Sequence, residues 1–183
     1  MPERDAAAPP RALIVVAAVL GLGLVAAVAV IGLSQGDSAT PPGTNAPSGP
    51  LPLAAAPAPD AGSAACRDLV DALPDSLESA DEQLTRRKLL APAPEGAAAW
   101  GEANPVVLRC GIPRPTGLRP TSRLRQINGV QWLPVPERAA TTWYAVDRPV
   151  YVALTVPADG GTGPLQQISD TIERTLRAVK PRA

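Results

Sequence analysis

Two cysteines and a run of arginines are the residues whose types and spacing could do chemistry. Cys66 and Cys110 are the only cysteines in 183 residues. Their separation excludes a redox CxxC motif, and two thiolates fall short of the four ligands of a structural zinc site. In an oxidising compartment the default is one disulfide, and the alternative is a pair of buried free thiols. A bridge would close a loop of about 44 residues, for which chain entropy gives about 4 kcal/mol. The arginines are Arg109, Arg114, Arg119, Arg123 and Arg125, with no acid between Glu102 and Glu137. Guanidiniums grip phosphate or carboxylate groups in bidentate fashion. Arg114, Arg119, Arg123 and Arg125 are therefore candidate contacts for an anionic partner: an envelope protein, a wall polymer or a lipid headgroup. The plainer reading is a solvated loop whose charges pair with acids elsewhere.

The chain has no histidine. That removes the commonest general base, the Ser-His and Cys-His nucleophile pairs, and the commonest metal ligand. Asp68, Asp71, Asp75 and Glu78 cluster in sequence, but their spacing spreads them over a solvated helix face. Ser63, Ser76, Ser122 and Ser169 lack GxSxG or SxxK surroundings. Gly160, Gly161, Thr162 and Gly163 precede a helix and could cradle an anion at its N-terminus, or simply turn the chain. No catalytic, cofactor-binding or metal-ligating residue is assigned, and no cofactor is expected. Zero formal net charge supplies no global field toward nucleic acid. Trp100, Trp132 and Trp143 carry most of the aromatic mass in a chain without phenylalanine. They read as core fillers ahead of groove liners.

The elements that must position these residues begin with a membrane crossing. Residues 12–33 form an apolar run without a charged side chain, about 33 Å long as a helix against a hydrocarbon core of roughly 30 Å. Arg4 and Arg11 precede it and no Lys or Arg follows until Arg67, which points the N-terminus toward the cytoplasm. A cleaved signal peptide is the competing reading, but the run exceeds the usual 7–15-residue apolar segment. The plan is an inner tail over 1–11, a single-pass helix over 12–33, a Pro/Ala/Gly-rich disordered linker over 34–63 and an extracytoplasmic domain over 64–183. Fully extended, the linker reaches about 90 Å.

For the domain, Ser63 caps a helix that puts Cys66, Leu69, Val70 and Leu73 on one face until Pro74 stops it. Residues 77–82 read as a turn or short helix, 86–90 as an edge strand and 95–105 as a loop. Residues 106–112 are the clearest strand, with Val106, Leu108, Cys110 and Ile112 on one side. Cys110 and Cys66 thus both lie in apolar phase, which supports their pairing. Residues 127–133 form a strand interrupted at Asn128-Gly129, and 141–146 with 150–156 form a hairpin turned at Asp147-Arg148-Pro149. A closing helix over 164–180 buries Leu165, Ile168, Ile172, Leu176 and Val179. The fold class is α+β, an antiparallel sheet of about four strands with both helices on one face.

The blocks Ala99-Trp100-Gly101, LRCGIP over 108–113 and Gly129-Val130-Gln131-Trp132 occur in this order, followed by the strand ending at Pro157. With the N-terminal span they resemble a family of actinobacterial envelope proteins known as a domain of unknown function. The resemblance implies a membrane-anchored or exported protein and supplies no catalytic residue. Together these readings point to a single-pass membrane protein with a non-catalytic binding or scaffold domain in the cell envelope. A wall-directed hydrolase using carboxylates is the alternative.

Overall fold

Alternation of apolar and polar residues builds most of this domain, and one glycine decides where its clearest strand breaks pattern. The computed structural model describes residues 49–80 and 82–182. The stretches expected to be an inner tail (1–11), a membrane span (12–33) and the linker as far as residue 48 lie outside them. Among the described residues no helix is long and apolar enough to cross a membrane.

In chain order the elements are α1 (Ala64–Asp71), β1 (Ser76–Ser79), β2 (Glu82–Thr85), β3 (Ala97–Trp100), β4 (Val106–Ile112), β5 (Arg125–Ile127), β6 (Val130–Pro136), β7 (Ala140–Ala145), β8 (Tyr151–Pro157) and α2 (Gly163–Thr175). Strands β1 and β2 form their own hairpin, and the other six make one sheet in the order β3-β4-β8-β7-β6-β5. All its neighbours are antiparallel. The fold is therefore α+β. The sheet has six strands where about four were expected, plus a separate two-stranded hairpin.

Four segments account for the difference. Residues 127–133 are not one interrupted strand: Asn128-Gly129 reverses the chain, and β5 pairs antiparallel with the start of β6. Residues 77–79 are strand where a turn or helix was expected, with the turn confined to the hairpin tip at Ala80: Leu77 pairs with Leu84 across the β1–β2 hairpin. Residues 86–90 are not a strand: regular pairing ends at Thr85, leaving isolated bridges from Arg86 to Trp100 and from Leu89 to Leu51. Residues 95–105 are not wholly loop. Alanine is a weak strand former, yet Ala98, Ala99 and Trp100 are buried and β3 pairs with β4. Burial outweighs propensity there.

One sheet face packs Leu108, Cys110, Trp132, Val152 and Leu154 against Cys66, Leu69 and Leu73 and against Leu165, Ile168, Ile172 and Leu176. Both helices thus cover the same face, as the apolar stripes require. The opposite face carries a smaller cluster of Ile112, Leu118, Leu133, Val146, Tyr151 and Ala153. Ile112 is on this second face, not with Cys110 as strict alternation demands. The β4–β8 register shifts between Cys110 and Ile112, and Gly111 sits at φ 79°. A bulge adds one residue and turns the later side chains to the other face. A Cβ on Gly111 would lie 2.2 Å from the backbone nitrogen of Ala61. Gly111→Ala is expected to cost more than about 2 kcal/mol in urea unfolding, from left-handed strain and a backbone collision. An unchanged midpoint would show that the chain crossing at residue 61 yields easily.

Ser63 caps α1 by accepting the Cys66 amide at 3.3 Å. Helix α2 ends at Thr175, five residues before the expected 180, and Leu176 is extended. The chain is diverted there to the sheet end, where the Val179 amide donates to the Asp147 carbonyl at 2.9 Å. Val179 is only half-buried. Part of the stretch read as linker is also tied down: Leu51 bonds Lys88 and Leu90, and the Asp60 amide donates to Gly111.

Candidate functional site

Cys66 and Cys110 are joined, with Cα atoms 5.6 Å apart, and among the described residues no cysteine is free. Both are fully buried. The bridge fastens α1 to the inner face of β4, as their apolar phases imply.

The four candidate arginines divide into one brace and three displayed charges. The connection from β4 to β5 is folded into two turns, Leu118 N–H to Pro115 O and Ser122 N–H to Arg119 O, each 3.0 Å. The Ser122 hydroxyl accepts the Arg119 amide at 2.8 Å and donates to Gly117 O at 3.3 Å. Leu118 plugs into the second-face cluster and Leu124 packs beside it. This anchoring holds the loop against the sheet and leaves Arg119 and Arg123 exposed. Arg114 is used internally, donating to Leu118 O at 2.8 Å and to Arg182 O at 3.2 Å. Arg182 in turn donates to Pro149 O at 3.0 Å and lies over the Tyr151 ring. Arg119, Arg123 and Arg125 are exposed, and their side chains make no hydrogen bond or ion pair with a described residue. Arg109, half-buried on β4, donates to Ala54 O at 2.8 Å.

The other candidates have ordinary structural surroundings. Asp68, Asp71, Asp75 and Glu78 are all exposed. Asp71 and Glu95 border one cavity of about 210 Å³ with Arg67, and Glu95 is exposed as well. The glycine-rich entry to α2 is pressed against the β1–β2 hairpin, where a Cβ on Gly163 would lie 2.3 Å from Glu78 O. That helix start turns the chain and leaves no space for an anion at Gly163. Trp100 and Trp132 are fully buried, donating from Nε1 to Pro74 O and Ser169 Oγ at 2.9 Å each. Among the described residues no three His, Cys, Asp or Glu side chains gather as a metal site.

Sequence reasoning missed Arg148. Within the turn 147–149 a charged pair reads as exposed, yet Arg148 is 0% exposed and Asp147 3%. Arg148 Nη1 donates to Asp147 O at 3.0 Å and pairs with Asp147 Oδ2 at 2.9 Å. Nη2 donates to Gly129 O at 3.0 Å and pairs with Glu173. Burial pushes the Asp147 carboxyl above its ordinary value near 3.8, against the opposing pull of the Gln131 backbone and Arg148. The cluster ties the β7–β8 turn, the β5–β6 turn and α2 together. No local signal in the sequence marks it.

A family model described as a protein of unknown function, DUF3515, matches residues 15–181. No curated protein and no solved structure matches the chain. The match starts inside the apolar run and ends beyond α2, taking in the bridge, the arginine loop and all the described strands, so the chain belongs to the DUF3515 family.

Proposed function

We propose that this chain is a single-pass, membrane-anchored module of the actinobacterial cell envelope whose folded domain lies outside the cytoplasm and binds an anionic partner without catalysing a reaction. The observation that carries the reading is the display of Arg119 and Arg123 on a loop pinned by Leu118, and of Arg125 at the start of β5, with no acidic side chain among the described residues in ion-pair range. The backbone that carries them is already fixed by its turns, so gripping phosphate or carboxylate oxygens orders only the side chains, and each planar guanidinium makes two hydrogen bonds for that cost. The apolar run over 12–33 supports the anchor, and a family match that spans both run and domain treats them as one unit. The buried bridge supports an oxidising compartment.

The full chain in a non-ionic detergent is expected to bind soluble polyphosphate, more weakly as salt rises. The R119A/R123A/R125A variant is expected to bind about tenfold more weakly with unchanged thermal stability, since exposed charges contribute little to folding. Equal affinity in the two proteins would remove the arginine loop from the proposal. A tag on Ala183 should be lost when protease is added to intact cells; a protected tag would reverse the orientation.

A further inference from the structure

Residues 49–59 cross the domain as an arm held at its ends. At the outer end Leu51 adds to the chain in parallel with Leu89: its amide donates to Lys88 O at 2.8 Å and its carbonyl accepts the Leu90 amide at 2.9 Å. Arg87 donates to Gly49 O. At the inner end the Asp60 amide donates to Gly111 O at 3.1 Å, and six residues later the bridge at Cys66 fixes the chain. Between these ends, among the described residues, the one hydrogen bond to the domain is Arg109 to Ala54 O. A cavity of about 350 Å³ lies beneath, between Leu53, Ala55, Ala56 and Ala58 on the arm and Pro92 and Pro94 on the domain. Most of the arm is exposed. It is thus seated by a short strand pairing and poorly packed behind it.

We propose that this arm exchanges between copies of the chain, the Leu51 segment of one copy pairing with Lys88–Leu90 of a second. The receiving edge is complementary to this sequence because its occupant is this sequence, so a second copy brings the same fit. Reciprocal exchange re-forms every arm contact in the other domain, leaving association entropy as the cost. Residues 55–59, Ala-Ala-Pro-Ala-Pro, form the hinge; prolines at 57 and 59 favour an extended chain over one folded back. An exposed edge that accepts backbone pairing is the place where a second chain adds.

The test mixes full-length L51C with full-length L89C under mild oxidation. Cys66 and Cys110 are already paired, so the introduced thiols are the free ones. Exchange yields a covalent heterodimer at least about tenfold above the yield of L51C mixed with wild type, in the way that paired strand positions suit a bridge. The L51C/L89C double variant then gives locked monomer and locked dimer, with the dimer share rising with concentration. Locked monomer alone at every concentration, with no heterodimer in the mixture, overturns the proposal. Hydrogen exchange on the wild-type chain gives a second check independent of the variants. The Leu51 and Leu90 amides should exchange at least about 100-fold faster than the Cys110 amide. Equal protection would mean that the arm does not leave, and exchange would fail with it.

Discussion

Replacing Cys66 and Cys110 together with alanine is expected to lower the unfolding free energy by about 4 kcal/mol. The bridge closes a 44-residue loop that contains β1, β2 and β3 and the start of β4. Without it the unfolded chain regains the entropy of that loop. The folded side suffers too. Helix α1 has eight residues, below the length at which an isolated helix holds in water. Its attachment then rests on Leu69, on Leu73 just beyond it, and on Arg86, which donates to Val70 O and Leu73 O. A loss of this size is a large share of the roughly 5–15 kcal/mol that a single domain possesses. It corresponds to a fall of roughly 15 °C in melting temperature. Urea unfolding of wild type with and without reductant, beside the double variant, measures it. The reduced wild type and the variant should coincide. Wild-type stability in the variant would show that packing alone holds α1 to β4.

The parts legible in the sequence are those where one local rule meets no rival. Val106 to Cys110 alternates, the segment is bounded by Pro105 and Pro113, and β4 has those limits. The apolar row Val150, Val152, Leu154 and Val156 lies in the core as its phase demands. Asn128-Gly129, at φ 44° and 77°, is the turn between β5 and β6, where a pair of left-handed residues suits a two-residue hairpin. The illegible parts depend on contacts made far along the chain. Strand β3 is mostly alanine and exists because β4 offers an edge beside it. The β1–β2 hairpin shows one apolar pair, Leu77 and Leu84, too little for periodicity to register. Gly111 inside a strand is a visible sign of a bulge, and it alone would place Ile112 on the second face. For the arginines, the charge run is legible. That Arg114 braces the C-terminal tail while Arg119, Arg123 and Arg125 stay open is not, because Arg182 lies 68 residues away.

Arg148→Ala should be the most damaging single charge removal in the domain, at about 3–5 kcal/mol. The side chain bridges three elements: it meets Asp147 in its own turn, Gly129 O in the β5–β6 turn and Glu173 on α2. Truncation opens a void and strands the Asp147 carboxylate, which is 3% exposed and already has Oδ1 unpartnered. Glu173 is about half-exposed and can turn to water, so the damage concentrates at Asp147. The pH dependence separates this from a simple cavity effect. A folded carboxyl held above its unfolded value binds its proton more tightly in the native state, so stability falls as pH rises from about 3.8 through the raised value. Losing the Arg148 cation raises that value further and lengthens the range of decline. The penalty of Arg148→Ala relative to wild type should therefore grow as pH rises above about 3.8 in urea unfolding. Adding Asp147→Asn removes the titrating group, and the double variant should regain stability at neutral pH and lose the extra slope. A penalty independent of pH, left untouched by Asp147→Asn, would assign the role of Arg148 to packing and its backbone hydrogen bonds rather than to its charge.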